Sequence, residues 1–76
     1  MDKAIEYEEI EVKPSEVLRS DLILVGTNRW EAAEQAWDWE TDQGYRKIGI
    51  KLQGFYWPIV RDAYPNTKLT VRRRKG

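Results

Sequence analysis

The chain has 76 residues, no cysteine and no histidine, and its 13 basic and 13 acidic residues give a formal net charge of zero. This length allows one small domain, and the composition excludes disulfides, thiolate metal sites and histidine-based catalysis. The longest apolar run, Leu22 to Val25, is far shorter than the ~20 residues of a membrane span. Because the acidic start, Met1-Asp2-Lys3, also differs from a signal peptide, we expect a soluble, cytoplasmic protein.

The charges are sorted along the sequence. Residues 1–40 contain eleven acidic and four basic residues, whereas residues 41–76 contain two acidic and nine basic residues. If the first and last strands are neighbours, their opposite charges neutralise each other. If the acidic and basic halves face opposite sides, the molecule is a strong dipole, which favours self-association. We expect partial pairing that leaves an exposed basic cluster, Arg72, Arg73, Arg74 and Lys75.

The first third of the chain predicts two strands. Residues 5–12 alternate apolar and polar positions with one interruption, which predicts a strand with a bulge. Residues 14–18 predict a turn or a single helical turn, because Pro14 suits a first helical position. Residues 21–25 predict a short buried strand, and a turn follows at residues 26–28.

The segment after this turn has two interpretations. As a capped helix it would place its apolar side chains on one face, but the period-two alternation through Trp37 and Trp39 predicts a strand. The strand is favoured because residues 41–44 have turn composition and precede a strongly strand-like segment. We therefore predict an antiparallel hairpin of residues 30–39 and 45–52.

The remaining elements are short. In residues 46–52, alternate apolar side chains face one way, which predicts a strand with one wet face. A turn then leads to a strand at residues 55–57, which Pro58 ends. Residues 60–67 predict a connection with a 3₁₀ turn, and residues 69–72 the last strand. Residues 1–4 and 73–76 are predicted to be frayed.

Nine aromatic residues are many for a chain of this length, so we expect aromatic side chains to supply much of the core. The predicted core contains Leu22, Leu24, Ile48, Ile50, Leu52 and Val71, with at least one of Trp30, Trp37 and Trp57.

This order of elements predicts one mainly β domain over residues 1–76, a small SH3-like barrel of about five strands with a 3₁₀ turn before the last strand. The alternative is an α+β fold in which a helix at residues 29–40 packs on a four-stranded antiparallel sheet.

Three segments of the sequence carry a family resemblance. The run Val12-Lys13-Pro14-Ser15-Glu16-Val17-Leu18-Arg19-Ser20-Asp21-Leu22-Ile23-Leu24, with Arg29-Trp30 and the closing Leu69-Thr70-Val71-Arg72-Arg73, resembles small uncharacterised SH3-like barrel proteins of actinobacterial bacteriophages. Those proteins often read K-x-S-x-L-x-x-G-D-x-I-L here, and Ser20 stands where that pattern has Gly. The resemblance implies a phage-encoded protein in the cytoplasm of a bacterial host, and it implies no particular activity.

No residue pattern predicts an enzyme or a cofactor site. The serines have no histidine to activate them, and the glycines are isolated, which excludes a phosphate-binding loop. The acidic stretch at residues 38–44 resembles the start of a calcium loop but lacks the required Gly at its sixth position and Glu at its twelfth. We therefore expect no metal.

Basic residues interleaved with aromatic residues are the best functional candidates. Cations and aromatic rings together can bind nucleic acid. A basic patch can instead bind an acidic protein. In the third alternative the rings form the core and the cations pair with the glutamates of the first strand. We predict a non-catalytic binding module that acts by protein–protein interaction, with nucleic-acid binding as the alternative and no membrane partner. The predicted partner-binding residues are Arg46, Lys47, Tyr56, Trp57, Arg72, Arg73 and Arg74.

Overall fold

The computed structural model describes residues 5–75, which form six antiparallel strands and one 3₁₀ helix. The mainly β prediction is confirmed, and residues 29–40 are a strand rather than the alternative helix. The strands are β1 (Tyr7–Val12), β2 (Leu22–Gly26), β3 (Arg29–Glu40), β4 (Arg46–Leu52), β5 (Ile59–Ala63) and β6 (Leu69–Arg74), and the 3₁₀ helix is Pro14–Glu16.

All six strands belong to one sheet in the order β1-β6-β2-β3-β4-β5. Within residues 5–75, β1 pairs with β6 alone and β5 pairs with β4 alone, so the sheet keeps two edges and does not close into the predicted barrel. The pairing of the first strand with the last is confirmed, and so is the predicted hairpin, which is formed by β3 and β4.

Strand β3 connects the two halves of the sheet. Its residues 29–32 pair with β2, and its residues 33–40 pair with β4, with a register shift between Ala33 and Gln35. A bulge of this kind bends a strand and increases its twist. The inner faces of both halves therefore contribute to one shared core.

The core is aliphatic, which corrects the aromatic core predicted from composition. Ile48, Ile50, Leu52 and Val71 are buried as predicted, whereas Leu24 is exposed and Leu22 only half-buried. In β2 the buried side chains belong to the other face, so the predicted register of this strand was wrong by one residue. The buried apolar residues are Val12, Val17, Ile23, Val25, Ala33, Ala36, Ile48, Ile50, Leu52 and Val71.

The tryptophans lie outside this core. Trp30, Trp37 and Trp39 are half-buried, and Trp57 is exposed. Trp37 pairs directly with Gly49, and paired residues present their side chains on the same face, so its indole covers Gly49 on the outer face. The inner face of β3 opposite the core residues of β4 carries the small residue Ala36 instead.

Gly49→Ala is expected to destabilise the fold by about 1–3 kcal/mol, because the added methyl group must displace the Trp37 ring. A Cβ at Gly49 would lie 2.5 Å from Cζ2 and 2.8 Å from Nε1 of Trp37. Gly26→Ala is the matched control, since its Cβ would meet only the Arg29 Cβ at 3.9 Å. Urea unfolding of both variants checks the prediction, and equal midpoints would contradict it.

The later elements differ from the prediction at their ends. Residues 55–57 are not a strand, because β5 begins only after Pro58 and takes up part of the predicted connection at residues 60–67. The 3₁₀ helix lies between β1 and β2 rather than before β6.

Strand β6 extends through Arg74, so the predicted tail is wrong for Arg73 and Arg74. The backbone N–H of Lys75 also donates to the Glu6 carbonyl at 2.9 Å, because β1 is long enough to pair with this end. The other residues predicted to be frayed, 1–4 and 76, lie outside the described range.

The turn before β2 adopts a left-handed backbone at Ser20, with a φ of 77°. This is the conformation that favours glycine. The backbone N–H of Ser20 donates to the Ala33 carbonyl at 2.8 Å, and its hydroxyl accepts a hydrogen bond from Gln53 at 3.1 Å. The turn is therefore tied to both β3 and the loop that follows β4.

Candidate protein-binding surface

The predicted partner-binding residues do not form one surface. Arg46 and Lys47 lie on β4, Tyr56 and Trp57 lie in the β4–β5 loop, and Arg72, Arg73 and Arg74 lie on β6. Two strands separate β4 from β6 in the sheet. The basic and aromatic residues that were predicted to act together therefore lie in separate parts of the fold.

Arg72 is engaged on the outer face of the sheet. Its guanidinium carbon lies 4.0 Å from the centre of the Trp30 ring, and its Nε donates to the Glu9 carboxylate at 3.3 Å. The Glu9–Arg72 pair confirms part of the expected neutralisation between the first and last strands. A stacked cation of this kind contributes about 0.5–1 kcal/mol at an exposed site.

Arg73 is bound to a buried carboxylate. Its Nε and Nη2 donate to the two carboxylate oxygens of Asp21 at 3.0 and 2.8 Å, and Nη2 also donates to the Glu16 carbonyl at 3.1 Å. Asp21 is 3% exposed. Arg73 thus holds β6 to the 3₁₀ helix and the turn before β2, and the expectation that it belongs to an exposed basic cluster is wrong.

The pKa of Asp21 reflects this environment. Burial raises the pKa of its carboxyl group, but the hydrogen bonds from Arg73 and from the Leu18 N–H, together with the charge of Arg73, hold the pKa below its usual range. The carboxylate therefore stays ionised, and the pair is part of the fold.

Of the expected basic cluster, Arg74 and Lys75 are the exposed members. The other basic residues predicted to bind are also partly neutralised. Lys47 donates to Asp62, and Arg46 faces Asp38 at 3.6 Å. Binding of a nucleic-acid backbone needs several available cations along one groove. Because these cations are partly neutralised and lie apart, they give little evidence of such a groove.

The loop between β4 and β5 presents three aromatic side chains to solvent. Tyr56 is 83% exposed, Trp57 is 77% exposed and Phe55 is also exposed. The rings of Tyr56 and Trp57 meet edge to face, with centroids 4.9 Å apart. Exposed apolar side chains that lie together are typical of an interaction site.

This aromatic loop is held at its base. The Gln53 side chain donates to the Ala33 carbonyl at 3.0 Å, and the Lys51 ammonium group donates to the Phe55 carbonyl. Gly54, which has a φ of 81°, lies in the turn between Gln53 and Phe55. The rings are therefore carried by an ordered turn, which lowers the entropy cost of binding.

Strand β5 is an open edge beside this loop. Over the described residues it pairs with β4 and with no other strand, so one side of its backbone has no strand partner. Val60, its second residue, is 52% exposed. At the far end of β5 lies another exposed ring, Tyr64, which lines a cavity with the exposed Tyr45 that precedes β4, so exposed rings stand at both ends of the open edge.

The opposite edge of the sheet is protected. Strand β1 carries Glu8, Glu9 and Glu11, and Glu6 precedes it. Charged side chains along an edge discourage pairing with another strand. Strand β5 carries two charged residues, Arg61 and Asp62, but it also has exposed apolar and aromatic neighbours, and it is therefore the better candidate for strand addition.

Groups of metal-ligating side chains and long apolar helices are both absent from the described part of the chain. Among residues 5–75, no three acidic side chains are grouped to hold a metal ion. No helix in this range has the length and hydrophobicity to cross a lipid bilayer.

Sequence reasoning missed Tyr64 and the β5 edge, and it did not place Tyr45 with them on one surface. Tyr45 and Tyr64 line the same cavity because β4 and β5 pair with Arg46 opposite Ala63. Comparisons of the chain with protein-family models, with curated proteins and with solved structures find no match.

Proposed function

We propose that this protein is a non-catalytic binding module that holds an extended segment of a partner protein along β5. The observation that carries the proposal is the open β5 edge with exposed aromatic residues at both of its ends. A phage origin and action on a host or phage protein remain predictions from the sequence resemblance.

The length of β5 matches this mode of binding. Five residues of strand span about 17 Å, so an added strand of similar length would reach from the aromatic loop to Tyr64. Backbone hydrogen bonds to the edge would supply affinity, and pockets at the two ends would supply specificity. Trp57 and Tyr64 are the expected anchors, since Trp and Tyr dominate the binding energy of many interfaces.

The proposal predicts that random linear peptides displayed on a surface will be enriched by the purified protein. Trp57→Ala and Tyr64→Ala should each weaken binding of the enriched peptides about tenfold or more. Tyr7→Ala is the matched control, because Tyr7 is a partly exposed tyrosine on the opposite edge of the sheet. Its binding should match that of the parent.

Hydrogen exchange then locates the bound peptide. The backbone amides of β5 should exchange more slowly in the complex, because a new strand covers that edge. Failure to enrich any peptide, or protection confined to β1 and β6, would overturn the proposal. Tighter binding of a single-stranded oligonucleotide, (dT)20, than of any peptide would instead support the nucleic-acid alternative.

A further inference from the structure

The outer face of the β4–β5 hairpin carries an ion pair at the open edge of the sheet. This face is the one on which Trp37 covers Gly49. Because side chains alternate along a strand, Lys47 of β4 shares this face, and so does its partner on β5, Asp62. Asp62 belongs to the edge strand, whereas Lys47 lies one strand further in. A partner strand on this edge would therefore place a side chain directly beside Asp62.

The Asp62 carboxylate has room for a second cation. Its Oδ1 atom accepts a hydrogen bond from the Lys47 ammonium group, and among residues 5–75 this is its one ionic partner. The Asp62 side chain is nevertheless 87% exposed. An ionised carboxylate has roughly four acceptor sites on its two oxygen atoms. A cation that approaches from the open edge can therefore bind Asp62 without displacing Lys47.

The space beside this carboxylate has aromatic walls. A cavity of about 390 Å³ is lined by the ion pair together with Tyr45 and Tyr64, each two positions along the chain from one member of the pair. Tyr45 is 64% exposed and Tyr64 is 83% exposed. Arg46 and Ala63, the intervening residues, also border the cavity, but their side chains alternate to the core-side face. The faces of aromatic rings carry partial negative charge and attract cations.

The other half of the sheet already holds a cation in this way. The guanidinium carbon of Arg72 lies 4.0 Å from the centre of the Trp30 ring, and its Nε donates to the Glu9 carboxylate at 3.3 Å. There the chain itself supplies the cation. The β5 edge presents the same combination of rings and a carboxylate to solvent, where a partner can supply it.

The position of the two charges favours a basic ligand over an acidic one. An acidic side chain would need Lys47, which is only 33% exposed and already donates to Asp62. It would also pass the Asp62 carboxylate, which lies nearer the edge and repels an anion.

We infer that the partner segment carries an arginine or lysine whose cationic group binds Asp62 in the cavity lined by Tyr45 and Tyr64. This inference rests on the proposed function, and it names the chemistry of the partner at one end of β5. Val60 lies two residues before Asp62 on the same face and is 52% exposed. The partner residue beside Val60 is therefore apolar, and it lies two positions from the basic residue.

The test compares peptides selected by the parent protein and by Asp62→Asn. Peptides from the parent should share a basic residue two positions from an apolar one, and peptides from Asp62→Asn should lack the basic preference. For a synthetic peptide from the parent pool, Asp62→Asn should weaken binding about tenfold, and Asp62→Glu should weaken it less. The same peptide with Gln at the basic position should bind both the parent and Asp62→Asn within about twofold.

Two further variants test the surroundings of the carboxylate. Tyr45→Leu keeps an apolar wall but removes a ring, so it should weaken binding of the basic peptide about threefold and leave the Gln peptide unchanged. Lys47→Met removes the competing cation, so it should bind the basic peptide at least as tightly as the parent does.

Glu11→Gln is the matched control, because it removes one carboxylate from an exposed position on the strand at the opposite edge. Its effect should be below about twofold at 0.15 M salt. Peptides without a basic preference, a basic preference that survives Asp62→Asn, or an acidic preference that is lost in Lys47→Met would overturn this inference and leave the proposed function standing. Failure to enrich any peptide would overturn both.

Discussion

Asp21→Asn is expected to lower the free energy of unfolding by about 3 kcal/mol. The change removes the negative charge from a nearly fully buried site and leaves the two donors of Arg73 without their ionic acceptor. The Leu18 N–H also donates to this carboxylate, at 2.9 Å, so the turn before β2 loses support at the same time. For a small domain with roughly 5 kcal/mol of stability, most of the margin would be lost.

The pH dependence of stability gives a second readout of the same substitution. The pKa of Asp21 is lower in the folded state, so its ionised form stabilises the fold above the ordinary aspartate pKa of about 3.9. This contribution is lost as the pH falls through the folded-state pKa. The stability difference between the parent and Asp21→Asn should therefore shrink as the pH is lowered from 7 towards 2.

Urea unfolding at several pH values measures both effects. Asp62→Asn is the control, because it removes a carboxylate that also pairs with a cation but has a side chain 87% exposed. An exposed pair contributes at most about 1 kcal/mol, so this variant should stay close to the parent. Equal destabilisation of the two variants would show that the Asp21–Arg73 pair does not stabilise the fold as described.

Ile50→Ala is expected to cost about 2–5 kcal/mol, because it leaves a cavity at the centre of the core. Ile50 is 1% exposed, and it pairs with Ala36 on one side and with Ile59 on the other. The melting temperature should fall by about 10 °C or more, given the small unfolding entropy of a domain of this length. A variant that melts within a degree or two of the parent would place Ile50 outside the core.

Leu24→Ala is the informative comparison for Ile50→Ala. Leu24 was predicted from the sequence to be in the core, but it is 37% exposed and lies on the outer face opposite Trp30. Its truncation should therefore cost less than about 1.5 kcal/mol. A loss as large as that of Ile50→Ala would mean that β2 has the register predicted from the sequence, with Leu24 buried.

The candidate site was only partly predictable. Tyr56 and Trp57 were identified because they are aromatic residues interleaved with basic residues, a combination typical of binding surfaces. Arg73 was wrongly expected in an exposed basic cluster, because its partner Asp21 is 52 residues away in the sequence and no local pattern pairs the two residues. The β5 edge was missed because the predicted strand ended at Pro58 instead of beginning after it.

The sequence by itself determined the elements whose signals are local. Period-two alternation and the turn residues before Tyr45 identified the β3–β4 hairpin, and the inward face of β4 followed from Ile48, Ile50 and Leu52. The sorted charges favoured partial pairing of the first and last strands, and β1 and β6 do lie side by side, where opposite charges on neighbouring strands stabilise each other.

Only the tertiary structure decided which faces are buried where the local pattern is ambiguous. The run Leu22 to Val25 is apolar at every position, so either face of β2 could enter the core, and contact with Val71 of β6 selected the face of Ile23. For the tryptophans of β3, too, only the tertiary structure decided which face is buried. Their alternation predicted a strand but not its inner face, and the bulge after Ala33 turned Ala36 inward and left Trp37 to cover Gly49 from outside.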